Sequence, residues 1–513
     1  MSEVAADRPG RAPDANEQRS HHATVDVALE ARVRRWLVEE RAGQALLDES
    51  EVVEAGSRPA AAASLRVTLG GLLRVALLSG AEPDAERALR RAVLASAAEL
   101  VLVLRTSDPR SFIERAAAIR DTRPDLVLAL VSDREARPVL ELIEALRLGC
   151  AHRTPAPRLI VAGEARTALR VRDAAAGIAV ELLPDPRRPE GLSAFTHRAR
   201  DFRRGTDPDL VLRDEALEEL ALLVASSGDD AIVVDVVGGS ASVVRATPYG
   251  AVAGVHVAPL GAGIAADRTV ERAGLDGVRR WIPWAIDAPT LLERVFNRAR
   301  WPDAVPADAS ALALEIALAH EALTHVMREA GEAGITEPRR PASITVVTGV
   351  AAAFSDPAHT ALVAVDGLAS LHPTTLYRDT DEGLVAIGAI ATRIRARGDD
   401  PLPTVGEALS SRLTPLAFVV PVTPARRSTL RVNGRDASDG RLVRGAFFVV
   451  PERGPVEVTA TGTSLRARGD AGELGVIVDA RGRPLWLPPR DAERIPTVSR
   501  WFAALDHAGR GGA

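Results

Sequence analysis

Between residues 100 and 183 short apolar runs alternate with amphipathic stretches, and this pattern restricts the fold more than any other feature. Residues 100–104, 126–131, 158–162 and 178–183 read as buried strands, and 109–121, 135–146 and 165–174 read as helices between them. Strands that are apolar on both faces need cover on both faces. The run therefore predicts a parallel sheet sandwiched by helices, an α/β arrangement. Upstream, 24–28, 33–38 and 46–53 are short apolar segments with charged breaks, as antiparallel strands would be. A stretch opened by Pro59 and running to Ser79 has apolar residues at helical spacing, with Gly80 as a stop.

The same order recurs downstream. A predicted helix at 214–226 leads to strands 231–236, 242–247 and 251–258, then to a long helix at 308–330. Strand 343–348, strand 374–377 and a helix at 382–395 follow. Antiparallel strands first and αβ units after make two units of similar architecture, 23–206 and 207–396. The stretch 397–404, with Gly398, two aspartates and two prolines, reads as a linker. Beyond it, 405–506 is turn-rich and strand-like, predicting an antiparallel β domain closed by a helix at 498–505.

Composition removes several chemistries. The chain has 513 residues with 64 basic side chains, and every one of them is arginine. A P-loop, a Schiff-base enzyme and a protein kinase each need a lysine, so all three are excluded. A formal charge of −5 and 3% aromatic residues offer no footprint for nucleic acid or an anionic membrane. Cys150 is the single cysteine, which excludes an internal disulfide and a cysteine-based zinc site. Residues 1–22 are polar with no apolar core, so they read as a disordered leader and not a signal peptide. No apolar run reaches the roughly 18 residues a membrane span needs. The expected setting is cytoplasmic.

The sharpest local feature is Asp235-Val-Val-Gly238-Gly239-Ser240-Ala-Ser242, directly after a buried strand. A strand ending in aspartate, then paired glycines and a hydroxyl, can wrap N–H groups around phosphate while the carboxylate orients Mg²⁺. The same residues also suit a hairpin turn. Gly261-Ala-Gly263 precedes a helical stretch but lacks the third glycine of a dinucleotide fingerprint. His320 and His325 are five apart, about 140° around an ideal helix, so they do not form the zinc pair of a metalloprotease. A solvated helix is the expectation there. Trp281, Trp284 and Trp301 read as packing anchors.

At residues 234–243 the chain resembles the MutL/GlmL family, accessory proteins of adenosylcobalamin-dependent glutamate mutase within the actin/Hsp70/sugar-kinase superfamily. The family's second phosphate loop reads roughly Val-Asp-x-Gly-Gly-Ala-Thr-Thr-Asp-Val; Asp235 is retained, whereas Val237 replaces a glycine and Ser242 the second aspartate. Asp26 sits where the family has its first phosphate loop, but Ala28 replaces the glycine and Glu30 stands in place of a hydroxyl. Residues 124–133 resemble a family segment whose glycines are gone here. Thr348-Gly349 sits where an adenosine-binding loop would lie, and 475–485 matches one subgroup almost residue for residue.

The resemblance implies two actin-like (ribonuclease H-like) lobes with mixed sheets flanked by helices, plus the C-terminal antiparallel β domain. It implies a nucleotide cleft in which Asp26, Asp235, Gly238, Gly239, Ser240, Thr348 and Gly349 would hold ATP, with Asp26 and Asp235 on Mg²⁺. A phosphate loop works because glycine lets the backbone approach the oxygens. Val237 and Ala28 add a Cβ there, and Glu30 adds like charge. The expectation is a pseudo-ATPase acting as an accessory scaffold for a partner enzyme, such as a cobalamin-dependent mutase. The alternative is a weak Mg-ATP-binding ATPase or chaperone of the same fold.

Overall fold

The computed structural model describes residues 22–510 except 30–31, 42–43, 55–63, 69–71, 81–82, 206, 208, 303, 337–341, 425–427, 438–441 and 464. Counts below refer to the described residues. Of the expected leader only His22 falls among them, and Glu30 lies outside.

The first strands are β1 (His22–Leu29), β2 (Arg32–Arg41), β3 (Gln44–Glu54) and β4 (Ser64–Thr68). β1, β2 and β3 form an antiparallel meander, and β4 lies parallel to β1 on its other side. The next five are β5 (Leu73–Ser79), β6 (Ala98–Arg105), β7 (Leu126–Val131), β8 (Arg158–Gly163) and β9 (Val180–Leu183). They make a separate, all-parallel sheet in the order β6-β5-β7-β8-β9. The chain then returns to the first sheet through β10 (Leu210–Leu212), which pairs parallel to β4.

The parallel sheet is covered on both faces, as its apolar strands require. Ala76 and Leu78 of β5 face the core built with helices Phe112–Thr122 and Ala136–Gly149. Val75 and Leu77 face the opposite core, against helices Pro83–Leu94 and Pro189–Arg204. The helix expected from Pro59 to Ser79 is instead β4 and β5. Buried on both faces, β5 carries no period-2 alternation to set it apart from a buried helix. Residues 59–63 and 69–71 of that expectation fall outside the described residues.

The second unit begins with β11 (Ala231–Val236), β12 (Ala241–Thr247) and β13 (Ala251–Ala258), again an antiparallel meander. β14 (Ile344–Gly349) and β15 (Thr374–Arg378) add to it in parallel on the β11 side. This is the strand order of a ribonuclease H-like lobe, and β3-β2-β1-β4-β10 repeats it. The sheet continues with β16 (Pro415–Pro421), which pairs with β15. β17 (Leu430–Val432), β18 (Arg435–Asp436), β19 (Phe447–Val450), β20 (Gly454–Ala460), β21 (Arg466–Ala471) and β22 (Gly475–Asp479) complete the strands. β17, β18, β20 and β21 form the separate antiparallel sheet, whereas β22 and β19 extend the central sheet past β16. The C-terminal strands are thus shared between two sheets. The expected linker leads into a helix, Leu402–Arg412.

The two ribonuclease H-like sheets share one core. Val25, Val27, Trp36 and Val67 of the first meet Val233, Val244 and Val346 of the second through helices Arg213–Ala225 and Gly383–Ala396. These two helices pack so closely that a Cβ on Gly388 would lie 2.1 Å from the carbonyl oxygen of Ala216. Among the described residues, no helix is long and apolar enough to cross a membrane.

Candidate functional site: the strand ends around Asp235

β11 and β14 run parallel, so their C-terminal ends coincide, with Asp235 opposite Thr348 and Val236 opposite Gly349. In open α/β sheets this edge is where ligands bind. The fold thus brings together Asp235, Gly238, Gly239, Ser240, Thr348 and Gly349 from residues more than a hundred positions apart. Gly349 is required there: its φ is +73°, and a Cβ would lie 2.3 Å from the Val236 carbonyl and 2.8 Å from Asp235 Oδ1.

Asp235 has no exposed surface. Arg213 Nε and Nη2 donate to its Oδ2 and Oδ1 at 2.8 Å each, and Thr348 Oγ1 donates to Oδ1 at 2.7 Å. Arg213 Nη2 also donates to Glu382 Oε2 at 2.7 Å. Burial disfavours the charge on Arg213, but Asp235 and Glu382 outweigh it and hold its pKa above the usual arginine range. Glu382 precedes helix Gly383–Ala396 in a left-handed conformation, φ +63°. Its pKa is raised, by burial first, and Arg213 only partly offsets that. Asp379 caps the same helix, accepting from the N–H groups of Leu384 and Val385 at 3.1 Å. Burial, then repulsion from Glu382, pushes its pKa well above the ordinary carboxylate value.

Asp26 meets the same fate in the first sheet. It stands directly across the β1–β2 ladder from Arg35, whose Nε and Nη2 donate to its two oxygens at 2.8 and 2.9 Å. Each of the two carboxylates expected to orient Mg²⁺ is therefore held bidentately by a guanidinium, a strong and directional pairing. A divalent cation at either carboxylate would sit against a fixed positive charge. The residues present do not fit Mg²⁺ at these positions.

The turn after β11 is a tight hairpin, with Val237 N–H donating to Ser240 O at 2.9 Å. Its carbonyls are taken by the Gly261–Ala265 segment: Ala262 N–H reaches Val237 O, and the N–H groups of Gly263 and Ala265 reach Gly238 O at 3.1 and 2.9 Å. A Cβ at Gly261 would lie 2.3 Å from Gly238 O, so Gly261 serves this close approach. Ser240 Oγ is buried without a hydrogen-bond partner. The hairpin role of residues 235–242 is therefore realised, and Gly261-Ala-Gly263 lies over the turn.

Other features settle into structural work. His320 and His325 lie on helix Ala309–Glu332, which is buried here and not solvated as expected. The helix packs under β11 and β12, and His320 stacks on Trp281 with ring centroids 4.1 Å apart. Trp281 is a core anchor and Trp284 packs half-buried against the same core, whereas Trp301 is 63% exposed, with the Arg300 guanidinium over its ring. No group of three or more His, Cys, Asp or Glu suited to a metal occurs among the described residues. The 475–485 segment forms β22 and a buried network in which Asp479 accepts from Arg481 and Arg483, and both arginines reach Asp366.

Sequence reading missed Arg213, Arg35, Glu382 and Asp379. The hairpin register could have given Arg35, since it pairs with Asp26 once β1 and β2 are aligned. Arg213 carries no local signal; only the docking of its helix under β11 brings it to Asp235.

No family model and no curated protein sequence matches this chain. Solved structures of actin-like ATPase fold do. The activator of the 2-hydroxyisocaproyl-CoA dehydratase from Clostridium difficile, with bound ADPNP, is 8% identical over 76% of this chain and 96% of its own, with a TM-score of 0.28. The ethanolamine utilization protein EutJ from Carboxydothermus hydrogenoformans is 11% identical over 75% of this chain and 91% of its own, at 0.26. The Aquifex aeolicus PPX-GPPA enzyme is 14% identical over 76% of this chain and 84% of its own, at 0.21. Likeness at this level says nothing about what this chain binds.

Proposed function

We propose that this chain is a pseudo-ATPase: an actin-like scaffold that no longer uses Mg·ATP and works by binding a partner protein. One observation carries the reading. Arg213 occupies both oxygens of Asp235 in a site closed to solvent, so the cation of Mg·ATP is replaced by a side chain of the protein itself. The Asp26–Arg35 pair supports the same conclusion from the first sheet. The MutL/GlmL resemblance makes an adenosylcobalamin-dependent mutase the class of partner to test first.

Calorimetric titration of the full chain with Mg·ATP is the test. The expected result is no binding tighter than about 100 µM, roughly −5.5 kcal/mol; tighter binding overturns the reading. The weak-ATPase alternative is favoured by Ser240 Oγ, buried in the hairpin after β11 without a hydrogen-bond partner among the described residues. In that case Asp235→Ala would abolish the binding. Co-purification of the tagged chain with the mutase tests the partner separately.

A further inference from the structure

Beside the closed Asp235 cluster, on the same edge of the central sheet, lies an open cavity of about 440 Å³. Its walls come from the end of β15, the loop that follows it, the helix Leu402–Arg412, the start of β16 and Leu47 of β3. Several units thus meet at the edge where α/β sheets bind ligands, and the volume is that of a small-molecule site.

The lining carries both signs of charge in matched pairs. Arg378 Nη2 donates to Glu473 Oε2 at 3.0 Å, and Arg412 Nη1 donates to Asp381 Oδ2 at 3.2 Å. Asp379, the fifth ionisable group in the wall, is buried, and its Oδ2 already accepts from the N–H groups of Leu384 and Val385. That leaves Arg378, Arg412, Glu473 and Asp381 as the partly exposed charges of the lining, two of each sign. The Arg412 guanidinium is held over the Trp36 ring, 4.2 Å from its centroid, so it is oriented by the first sheet.

This pattern discriminates among ligand classes. A phosphate or other pure anion would meet Glu473 and Asp381, and a pure cation would meet two guanidinium groups. A molecule carrying one charge of each sign can insert by exchanging partners with both bridges at once, leaving no charge unpaired. Such bridges are partly exposed and weak in water, so exchange is easy.

We propose that this cavity binds a small zwitterion of about amino-acid size, its anionic group on Arg378 and Arg412 and its cationic group on Glu473 and Asp381. The proposal goes beyond the pseudo-ATPase reading and does not depend on it, because none of the four residues belongs to the Asp235 cluster.

The test is calorimetric titration of the full chain with each free proteinogenic amino acid at up to about 10 mM, with propionate, propylamine and glucose as single-charge and neutral probes. At least one amino acid is expected to bind below about 1 mM, with the three other probes at least about tenfold weaker. Glu473→Gln and Arg378→Gln should each weaken that binding about tenfold or more while leaving the thermal midpoint in place. No binding by any amino acid overturns the proposal, as does equal binding of propionate, propylamine or glucose, or binding indifferent to both substitutions. A parallel Mg·ATP titration reports on the pseudo-ATPase reading alone, so failure of one leaves the other standing.

Discussion

Arg213 and Asp235 form a bidentate ion pair, 2.8 Å on each arm, at the junction of the two ribonuclease H-like sheets and out of contact with water. Such a pair contributes little net stability against apolar replacements, yet breaking it leaves buried charge uncompensated. Here Arg213 also neutralises Glu382. Arg213→Ala should therefore destabilise the protein by about 3–5 kcal/mol. In urea unfolding the double variant Arg213→Ala/Asp235→Ala should recover part of that loss, with a coupling of about 1 kcal/mol or more. Additive losses would show that the two side chains do not depend on one another.

Asp379 makes the opposite case, a carboxyl group whose charge is unwelcome. Burial and Glu382 raise its pKa above the free value. The stability linked to it is therefore fully present below the unfolded carboxylate pKa and is lost as pH rises through the folded one. Asp379→Asn keeps an oxygen to cap Leu384 and Val385 but cannot ionise. Its melting temperature relative to the parent should rise as pH is taken from about 4 to 8. A difference that stays constant over that range would contradict the placement of Asp379.

Acid should act through the buried histidines. Burial first, then Arg328 and Arg272, lowers the pKa of His325 to about 4, and burial also lowers that of His320 well below normal. A depressed folded pKa means that the unfolded chain binds protons first. Stability is then complete above about pH 6.5 and declines as pH falls toward the folded values. Urea midpoints should fall between about pH 6.5 and 4. His325→Gln should flatten part of that decline, and an unchanged slope would remove His325 from the account.

Much of this fold was legible because its patterns are local. The apolar runs at 126–131 and 158–162 have the length of strands and not of helices, and they are β7 and β8. β5 misled because a segment buried on both faces loses the alternation that marks a strand. The insertion of the parallel sheet between β4 and β10 is a fact of long-range pairing with no sequence period. In the candidate site, Asp26 was visible within its strand and Asp235 near the end of its own. The arginines that occupy them were not, because Arg213 reaches Asp235 through tertiary packing and Arg35 through strand register.

Arg481 gives the 475–485 segment its structural meaning. Its guanidinium lies 3.9 Å from the Phe447 ring centroid and 4.5 Å from that of Trp501, while it hydrogen-bonds Asp479 and Asp366. It thereby ties the β22–β19 edge to helices Pro357–Leu368 and Asp491–Arg510. Lysine supplies charge but neither a planar face to stack nor a fork to bridge two carboxylates. Arg481→Lys should thus cost about 1–3 kcal/mol, while Arg481→Ala, which leaves buried Asp366 only the more distant Arg483, should cost about 3–5 kcal/mol. Trp501 fluorescence and limited proteolysis of the C-terminal helix provide the readout. If Arg481→Lys leaves both unchanged, charge alone holds this junction, and the aromatic sandwich is incidental to it.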